Sequence, residues 1–276
     1  MQRKKLGNLI YNLIFLVLSG IMILPIYYLV VTTFKTPSEA AASPLGLPLN
    51  FTFENYEKAL QAMHYLRALT NNLVITVSSV ILLILFASMA AYVVARSKKK
   101  IFRIMFGIFM VGLIIPFQIA IMPLYKIMVG MKLMNTFTGV ILIDVFCINL
   151  PLSIFLFKGF ISTVPIELEE AANIDGCGTF KCFWRIIFPL LKPIVATVAI
   201  LDALAVWNDF MTPLLFLQSS KKAVLLQEVY KNVGPFSTDW TSFFPMLLLA
   251  TLPLVIFYLI MQRHIIEGVV AGSGKG

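Results

Sequence analysis

The residues best suited to chemistry in this sequence are polar side chains placed within long apolar runs. They are Gln118, Asp144, Asp202, Trp207, Asn208 and Asp209. Ionisable groups at membrane depth are costly and commonly face a bundle interior or a watery path. The indole, amide and carboxylate at 207–209 form the densest group of such side chains. The alternative is that these groups join neighbouring helices through hydrogen bonds.

No catalytic or nucleotide-binding pattern accompanies these residues. Cys147, Cys177 and Cys182 form no CxxC pair and no metal-ligand spacing, so we interpret them as small apolar fillers and expect no metal site. The tail at 272–276, Gly-Ser-Gly-Lys-Gly, lacks the first glycine and the final Ser or Thr of a phosphate-binding loop. We therefore expect no enzyme activity and no cofactor in this chain. If ATP drives it, partner subunits must bind the ATP and Mg.

Composition and hydropathy predict the elements that position the polar residues. The chain has 276 residues, of which 59% are hydrophobic and 13% charged, whereas a soluble domain is about 25% charged. A helix needs about 20 apolar residues to cross the hydrocarbon layer. The sequence therefore predicts one all-α membrane domain over 1–276 with six transmembrane helices. The predicted spans are 9–33, 73–95, 104–125, 137–157, 194–217 and 240–261, the third being interrupted by Pro116, Gln118 and Pro123.

The distribution of basic residues predicts the orientation of these spans. Six spans place both termini on one side of the membrane, and 14 of the 22 lysines and arginines fall in the segments of that side. The remaining 8 fall in the opposite segments. Since basic residues favour the cytoplasmic side, we predict an N-in, C-in topology. A net charge of +9 alone would also fit nucleic acid, but its placement follows the membrane, so we expect no nucleic-acid partner.

A polar loop at about 160–190 separates the fourth and fifth predicted spans. Thr163 and Pro165 indicate a helix start, and acidic residues in the turns that follow suit a helix N-terminus. Gly176 is suited to a turn with positive φ. Thr179 could cap a second helix, which Pro189 would end. One face of that helix is apolar at helical spacing, formed by Phe180, Phe183, Trp184, Ile187 and Phe188.

This loop resembles the EAA loop of ABC-importer permeases. The residues that carry the resemblance are Glu170, Ala171, Ala172, Gly176, Ile186 and Pro189 at the family's spacings, with Phe188 where the family usually has Leu. The segment from Trp207 to Phe210 resembles a motif in the fifth span of carbohydrate-importer permeases. Further similar segments are Asn71-Asn72-Leu73, Ala90-Ala91-Tyr92 through Arg96, Pro116-Phe117-Gln118 through Tyr125, and Gly268 through Gly272.

Within the family, these segments resemble the permease subunits that are similar to the smaller maltose-transporter permease. The resemblance implies a type I importer fold in a bacterial inner membrane. It further implies sugar import, membrane lipid contact and partner subunits. Those partners are a second homologous permease, two cytoplasmic ATPase subunits and an extracytoplasmic solute-binding protein. In such an assembly the six loop residues would couple to the ATPases, with Glu170 as the candidate for a salt bridge to a partner arginine. The tail departs from the family's usual sequence, so its contact with an ATPase stays open.

Two other classes of membrane protein remain open. A proton- or sodium-coupled secondary transporter would use Asp144 or Asp202 as its coupling carboxylate. The absence of an internal repeat is unfavourable to that class. A membrane scaffold without transport is the third class, and the polar cluster within the spans is unfavourable to it. Co-purification with an ATPase separates the first class from both alternatives.

Overall fold

The computed structural model describes residues 2–233 and 239–273, and the side chains of 11–233 and 239–262. Within those ranges every regular element is a helix. The α-helices in chain order are α1 (Gln2–Thr32), α2 (Pro37–Ala42), α3 (Glu54–Ala62), α4 (Tyr65–Arg96), α5 (Lys100–Gly112), α6 (Phe117–Gly130), α7 (Phe137–Leu142), α8 (Leu150–Ile161), α9 (Glu167–Ile174), α10 (Thr179–Cys182), α11 (Phe188–Leu190), α12 (Lys192–Trp207), α13 (Met211–Phe216), α14 (Leu225–Lys231) and α15 (Trp240–Ser273). The prediction of an all-helical chain is confirmed.

Four described helices are long and apolar enough to cross a membrane. They are Tyr11–Thr32, Tyr65–Arg96, Phe137–Ile161 and Trp240–Gln262. Two further stretches pass only as bent pairs, α5 with α6 at 106° and the loop helices Thr179–Leu190 with α12 at 79°. By length and composition, the described residues therefore contain four helices that could cross a membrane, or up to six if each bent pair is one span.

The third and fifth predicted spans are not straight helices. The break expected near Pro116 lies between α5 and α6, because proline lacks an N–H and restricts the residue before it. The prediction of one apolar span over 194–217 is wrong in its extent. The helix ends at Trp207, and α13 begins only at Met211.

Two helical stretches widen into π-helical turns, and each lies just before a proline. Ile143–Asn149 precedes Pro151, and Phe183–Ile187 precedes Pro189. At the end of each, a backbone N–H bonds to a carbonyl five residues earlier. A proline in a regular helix clashes with the carbonyl four residues before it, and a wider turn relieves that clash.

The second loop helix, predicted to stop at Pro189, ends one residue beyond it. The helix continues through Leu190, and the chain changes direction at Leu191, before α12. The predicted start near Thr163 and Pro165 is also displaced, since α9 begins at Glu167.

Contacts divide the chain into two compact units. One comprises Met1–Leu66 with Glu228–Leu252, and the other comprises Arg67–Gln227 with Pro253–Gly276. In the second unit a buried cluster joins α4, α8, the polar loop and α12. Its residues include Leu83, Ala91, Ile154, Phe157, Phe183, Ile187, Leu191 and Val198. The two loop helices are thus seated on the ends of the apolar helices, and that seating fixes their position.

Candidate functional site

The polar loop folds as two short helices joined at Gly176. Backbone N–H groups of Gly176 and Cys177 donate to the carbonyls of Asn173 (3.0 Å) and Ala172 (2.9 Å). This pair of bonds is the Schellman arrangement that ends a helix with a residue of positive φ. Gly176 has φ of 77°, as the sequence predicts. Thr179 is the first residue of α10 and Gly178 precedes it as the cap, so the prediction of a Thr179 cap is wrong.

A groove of about 470 Å³ lies between the two loop helices. It is lined by Leu168, Ala171, Ala172, Asp175, Cys177, Lys181, Arg185 and Ile186. Of the predicted coupling residues, Glu170, Ala171, Gly176 and Pro189 are exposed, Ile186 is half-buried and Ala172 is buried. The structure therefore brings Ala171, Ala172 and Ile186 to one groove and leaves the carboxylate of Glu170 at the surface beside it.

A neighbouring glutamate, Glu169, faces inward and ties the loop to α4. Arg96, the last residue of α4, donates from Nε to Glu169 Oε1 at 2.7 Å and from Nη2 to the Val164 carbonyl at 2.8 Å. The Tyr92 hydroxyl donates to Glu169 Oε2 at 2.8 Å. Both oxygens of the buried Glu169 carboxylate therefore accept a hydrogen bond from the protein. A buried ion pair needs such bonds to offset the loss of water.

Sequence reasoning missed the role of Glu169. Glu169 and Ala172 are three residues apart, so they lie on the same face of α9, and both are buried. That spacing marks the face that packs inward, and Glu170 lies off it. In the sequence, Tyr92 and Arg96 belong to a segment that is similar to the permease family. In the structure both side chains donate a hydrogen bond to Glu169.

The predicted solute-path residues are not one cluster in the structure. Asp202 is buried, and the Ser153 hydroxyl lies 3.0 and 2.9 Å from its two carboxylate oxygens. This contact joins α12 to α8, so Asp202 takes the helix-linking role that the sequence left as an alternative. Gln118 is exposed in the first turn of α6.

Asp144 and Asp209 do come together. Asp144 is 1% exposed within the π-helical turn, and its carboxyl group interacts with that of Asp209. Among the described residues neither oxygen of Asp144 has a hydrogen-bond partner, nor does Oδ2 of Asp209, whose Oδ1 accepts from the Thr212 backbone N–H at 3.1 Å. Unsatisfied buried oxygens at membrane depth are costly, so these two residues are the strongest remaining candidates for a solute contact.

Trp207 and Asn208 point to different surroundings. Trp207 lines a cavity of about 230 Å³ among α4, α12 and α15, whose other walls are almost wholly apolar. Asn208 is exposed, and its amide donates to the Leu204 carbonyl at 2.9 Å, which caps the end of α12. The tail with Ala271 and Lys275, whose ATPase contact the sequence left open, lies outside the residues whose side chains are described.

Fold and site together define a multi-pass helical membrane protein with a polar loop packed on its helix ends. Comparison with known proteins extends this class. Residues 83–270 match the family "Binding-protein-dependent transport system inner membrane component". The chain belongs to that family and is a multi-pass protein of the inner membrane.

Curated relatives align over nearly their whole length. The chain is 35% identical to the melibiose/raffinose/stachyose import permease protein MelC of Bacillus subtilis, over 92% of this chain and 91% of that protein. It is also 35% identical to the multiple sugar-binding transport system permease protein MsmG of Streptococcus mutans, over 100% of both. A solved bacterial ABC transporter involved in the import of alginate superposes with a TM-score of 0.83 at 19% identity, covering 95% of this chain and 98% of that one. That last likeness concerns the fold alone.

Proposed function

We propose that this chain is a transmembrane subunit of an ATP-driven, binding-protein-dependent importer of oligosaccharides. The proposal is supported by membership of the family and by relatives whose names specify sugars. The subunit forms half of the translocation path in an N-in, C-in topology. Its partners are a second homologous permease, two cytoplasmic ATPases that bind ATP and Mg, and an extracytoplasmic solute-binding protein.

The observation that carries the proposal is the construction of the loop. A coupling element must present a fixed surface to a partner and must be joined firmly to the helices it moves. The loop has both properties: the Gly176 turn sets the two short helices around an open groove, and Glu169 holds α9 to the end of α4.

The proposed mechanism follows from two-state energetics. A ligand shifts a conformational equilibrium only by its difference in affinity for the two states. ATP binding closes the ATPase dimer, which draws the docked loops together. Because Glu169 is paired with Arg96, displacement of α9 is carried to α4 and the spans pass from inward-open to outward-open. Asp144 and Asp209 are proposed to accept hydrogen bonds from solute hydroxyls along the path, and Asp202 to hold α12 on α8.

The test is transport in proteoliposomes that contain the chain with its co-expressed ATPases and permease partner. We expect uptake of a labelled oligosaccharide to require ATP on the ATPase side and solute-binding protein on the other, in the absence of any ion gradient. Uptake driven by an imposed proton or sodium gradient without ATP would contradict the proposal and favour secondary transport. A chain that fails to co-purify with any ATPase would contradict it as well.

A further inference from the structure

The irregular segment between α2 and α3, residues 45–53, exposes apolar side chains at alternate positions. These are Leu45, Leu47, Leu49, Phe51 and Phe53. Leu47 is 69% and Leu49 is 87% exposed, whereas Pro48 between them is buried. The chain bends at 44–46 and at 49–50, so these five side chains are grouped by their shared exposure. We call this group the apolar ridge below.

The apolar ridge stands on a fixed scaffold within its own unit. Lys35 is fully buried, and its ammonium donates to the carbonyls of Ser43 (2.7 Å) and Pro44 (3.2 Å). The buried Asn55 amide donates to the carbonyls of Thr33 and Lys35 at 2.9 and 2.8 Å. These bonds fasten both ends of the stretch to the end of α1, so the exposure of the ridge is a property of a folded segment.

A hydrogen bond from Tyr27 sets the position of the apolar ridge along α1, close to the end of that helix. The Tyr27 hydroxyl donates to the Leu45 carbonyl at 2.9 Å. Tyr27 lies five residues before the end of α1, which is about 7.5 Å along the helix axis. The ring of Tyr28 lies 5.6 Å from that of Phe244, which lies 5.2 Å from Trp240 at the start of α15. Tyrosine and tryptophan gather at this depth in membrane proteins.

The apolar ridge itself carries no charge, and exposed charges begin directly after it at Glu54, which pairs with Lys58 at 2.7 Å. Residues 40–53 contain no Asp, Glu, Lys or Arg. The nearest charged groups on the N-terminal side are engaged, since Lys35 is buried and the Glu39 carboxylate accepts from the Leu49 backbone N–H. The ridge is continuous, through the bond to Tyr27, with the exposed apolar surface of α1.

We propose that residues 45–53 are a membrane-interface anchor, in which the odd-numbered apolar side chains enter the lipid leaflet at which α1 ends. The occupant of this surface is lipid, at the boundary between headgroups and acyl chains. The anchor fixes the exit of α1 and the scaffold of Lys35 and Asn55 against the bilayer. This inference depends on α1 spanning the membrane, not on the proposed transport cycle.

The test uses the full-length chain with its co-expressed subunits in phospholipid nanodiscs. In a background with Cys147, Cys177 and Cys182 replaced by Ala, a nitroxide label is attached at Leu47→Cys or Leu49→Cys. Power-saturation electron paramagnetic resonance then compares collision with oxygen, which concentrates in lipid, and with a water-soluble nickel chelate. Glu57→Cys, on the exposed side of α3, is the matched control for contact with water.

We expect labels at Leu47 and Leu49 to collide several-fold more with oxygen relative to nickel than the label at Glu57 does. High nickel collision at the two ridge positions would show that they face water and would overturn the proposal. Low collision with both reagents would show that protein covers the ridge, and would overturn it too.

Discussion

Arg96 and Glu169 form an ion pair with 2.7 Å between Nε and Oε1, and both side chains are largely buried. Arg96 is the last residue of α4 and Glu169 lies in the first turn of α9. The pair therefore joins the end of a membrane-spanning helix to the first helix of the polar loop. The additional bond from Arg96 to the Val164 carbonyl fixes the chain just before α9, so the loop cannot tilt without straining this contact.

Removal of Arg96 should loosen the loop from α4. Loss of one partner of a buried ion pair leaves an uncompensated charge, at a cost of about 3–5 kcal/mol. We expect Arg96→Ala to abolish most uptake per molecule in the membrane and to raise protease cleavage within 160–190. The control Lys98→Ala removes an exposed charge two residues away and should leave both unchanged.

Exchanging the two charged residues tests whether the ion pair itself matters, apart from the size of the side chains. Arg96→Glu combined with Glu169→Arg should recover part of the uptake lost in each single variant. Equal defects in the exchange and in the two single variants would mean that the pair does not transmit movement of the loop.

Gly176→Val tests the turn between the loop helices. A residue with a Cβ at the observed φ of 77° costs roughly 1–2 kcal/mol, and a branched side chain more. We expect weaker co-purification of ATPase and lower uptake at normal membrane abundance. Gly178→Ala is the matched control, because Gly178 has an ordinary φ of −68° and no atom lies within 4 Å of the added Cβ. Full uptake and full ATPase binding in Gly176→Val would make the loop a mere connector.

Glu170→Lys tests the exposed carboxylate beside the groove. If Glu170 meets a partner arginine, reversal of its charge places like charges together, which costs several kcal/mol at an interface. ATPase capture should fall while the fold persists, since Glu170 is exposed. Glu167→Lys, another exposed acid in the same first turn, is the control and should bind ATPase normally. Equal loss in both variants would indicate general charge repulsion at the surface.

Local signals account for what the sequence predicted well in this loop. The glutamates, the Asp175-Gly176 turn and the apolar spacing all act within a few residues, and the two short helices follow from them. The contact between Glu169 and Arg96 joins residues 73 apart in sequence, so no local pattern specifies it. The π-helical turns could not be predicted from the sequence for a related reason. The prolines are visible in the sequence, but a helix can end, kink or widen at a proline.

The contacts of the polar residues within the spans could not be predicted from the sequence either. Their cost in the membrane is readable from type and position, but their partners depend on how the helices pack. Asp202 meets Ser153 on another helix, and Asp144 meets Asp209 across 65 positions of sequence. Four of the residues predicted to line one path thus have three different surroundings. Asp202 links two helices, Asn208 caps α12, and Asp144 and Asp209 form a carboxyl pair.

The orientation predicted from basic residues is testable by labelling. In the cysteine-free background, Lys99→Cys should be protected from an impermeant thiol reagent in intact cells and should react after permeabilisation. Lys221→Cys should react in intact cells. Both side chains are exposed in the structure, so differences in reaction report the side of the membrane. The opposite pattern would place the polar loop outside the cell and contradict the coupling role.

Asp209→Ala and Asp202→Ala should separate solute contact from helix linkage. Asp202→Ala removes the hydrogen bond that joins α12 to α8 and leaves the Ser153 hydroxyl with the Asn149 carbonyl at 3.2 Å. The lost bond is worth about 0.5–1.5 kcal/mol, so membrane abundance and thermal stability should fall together with uptake. Asp209→Ala removes one oxygen without a hydrogen bond among the described residues, the interaction with the Asp144 carboxyl group, and the acceptor of the Thr212 backbone N–H. Because little of its carboxylate is used for packing, we expect normal abundance with uptake reduced, and a higher sugar concentration for half-maximal transport. Normal uptake in both Asp209→Ala and Asp144→Ala would show that the carboxyl pair is not part of the solute path. A loss of stability in these two variants as large as that in Asp202→Ala would show that the pair links helices instead.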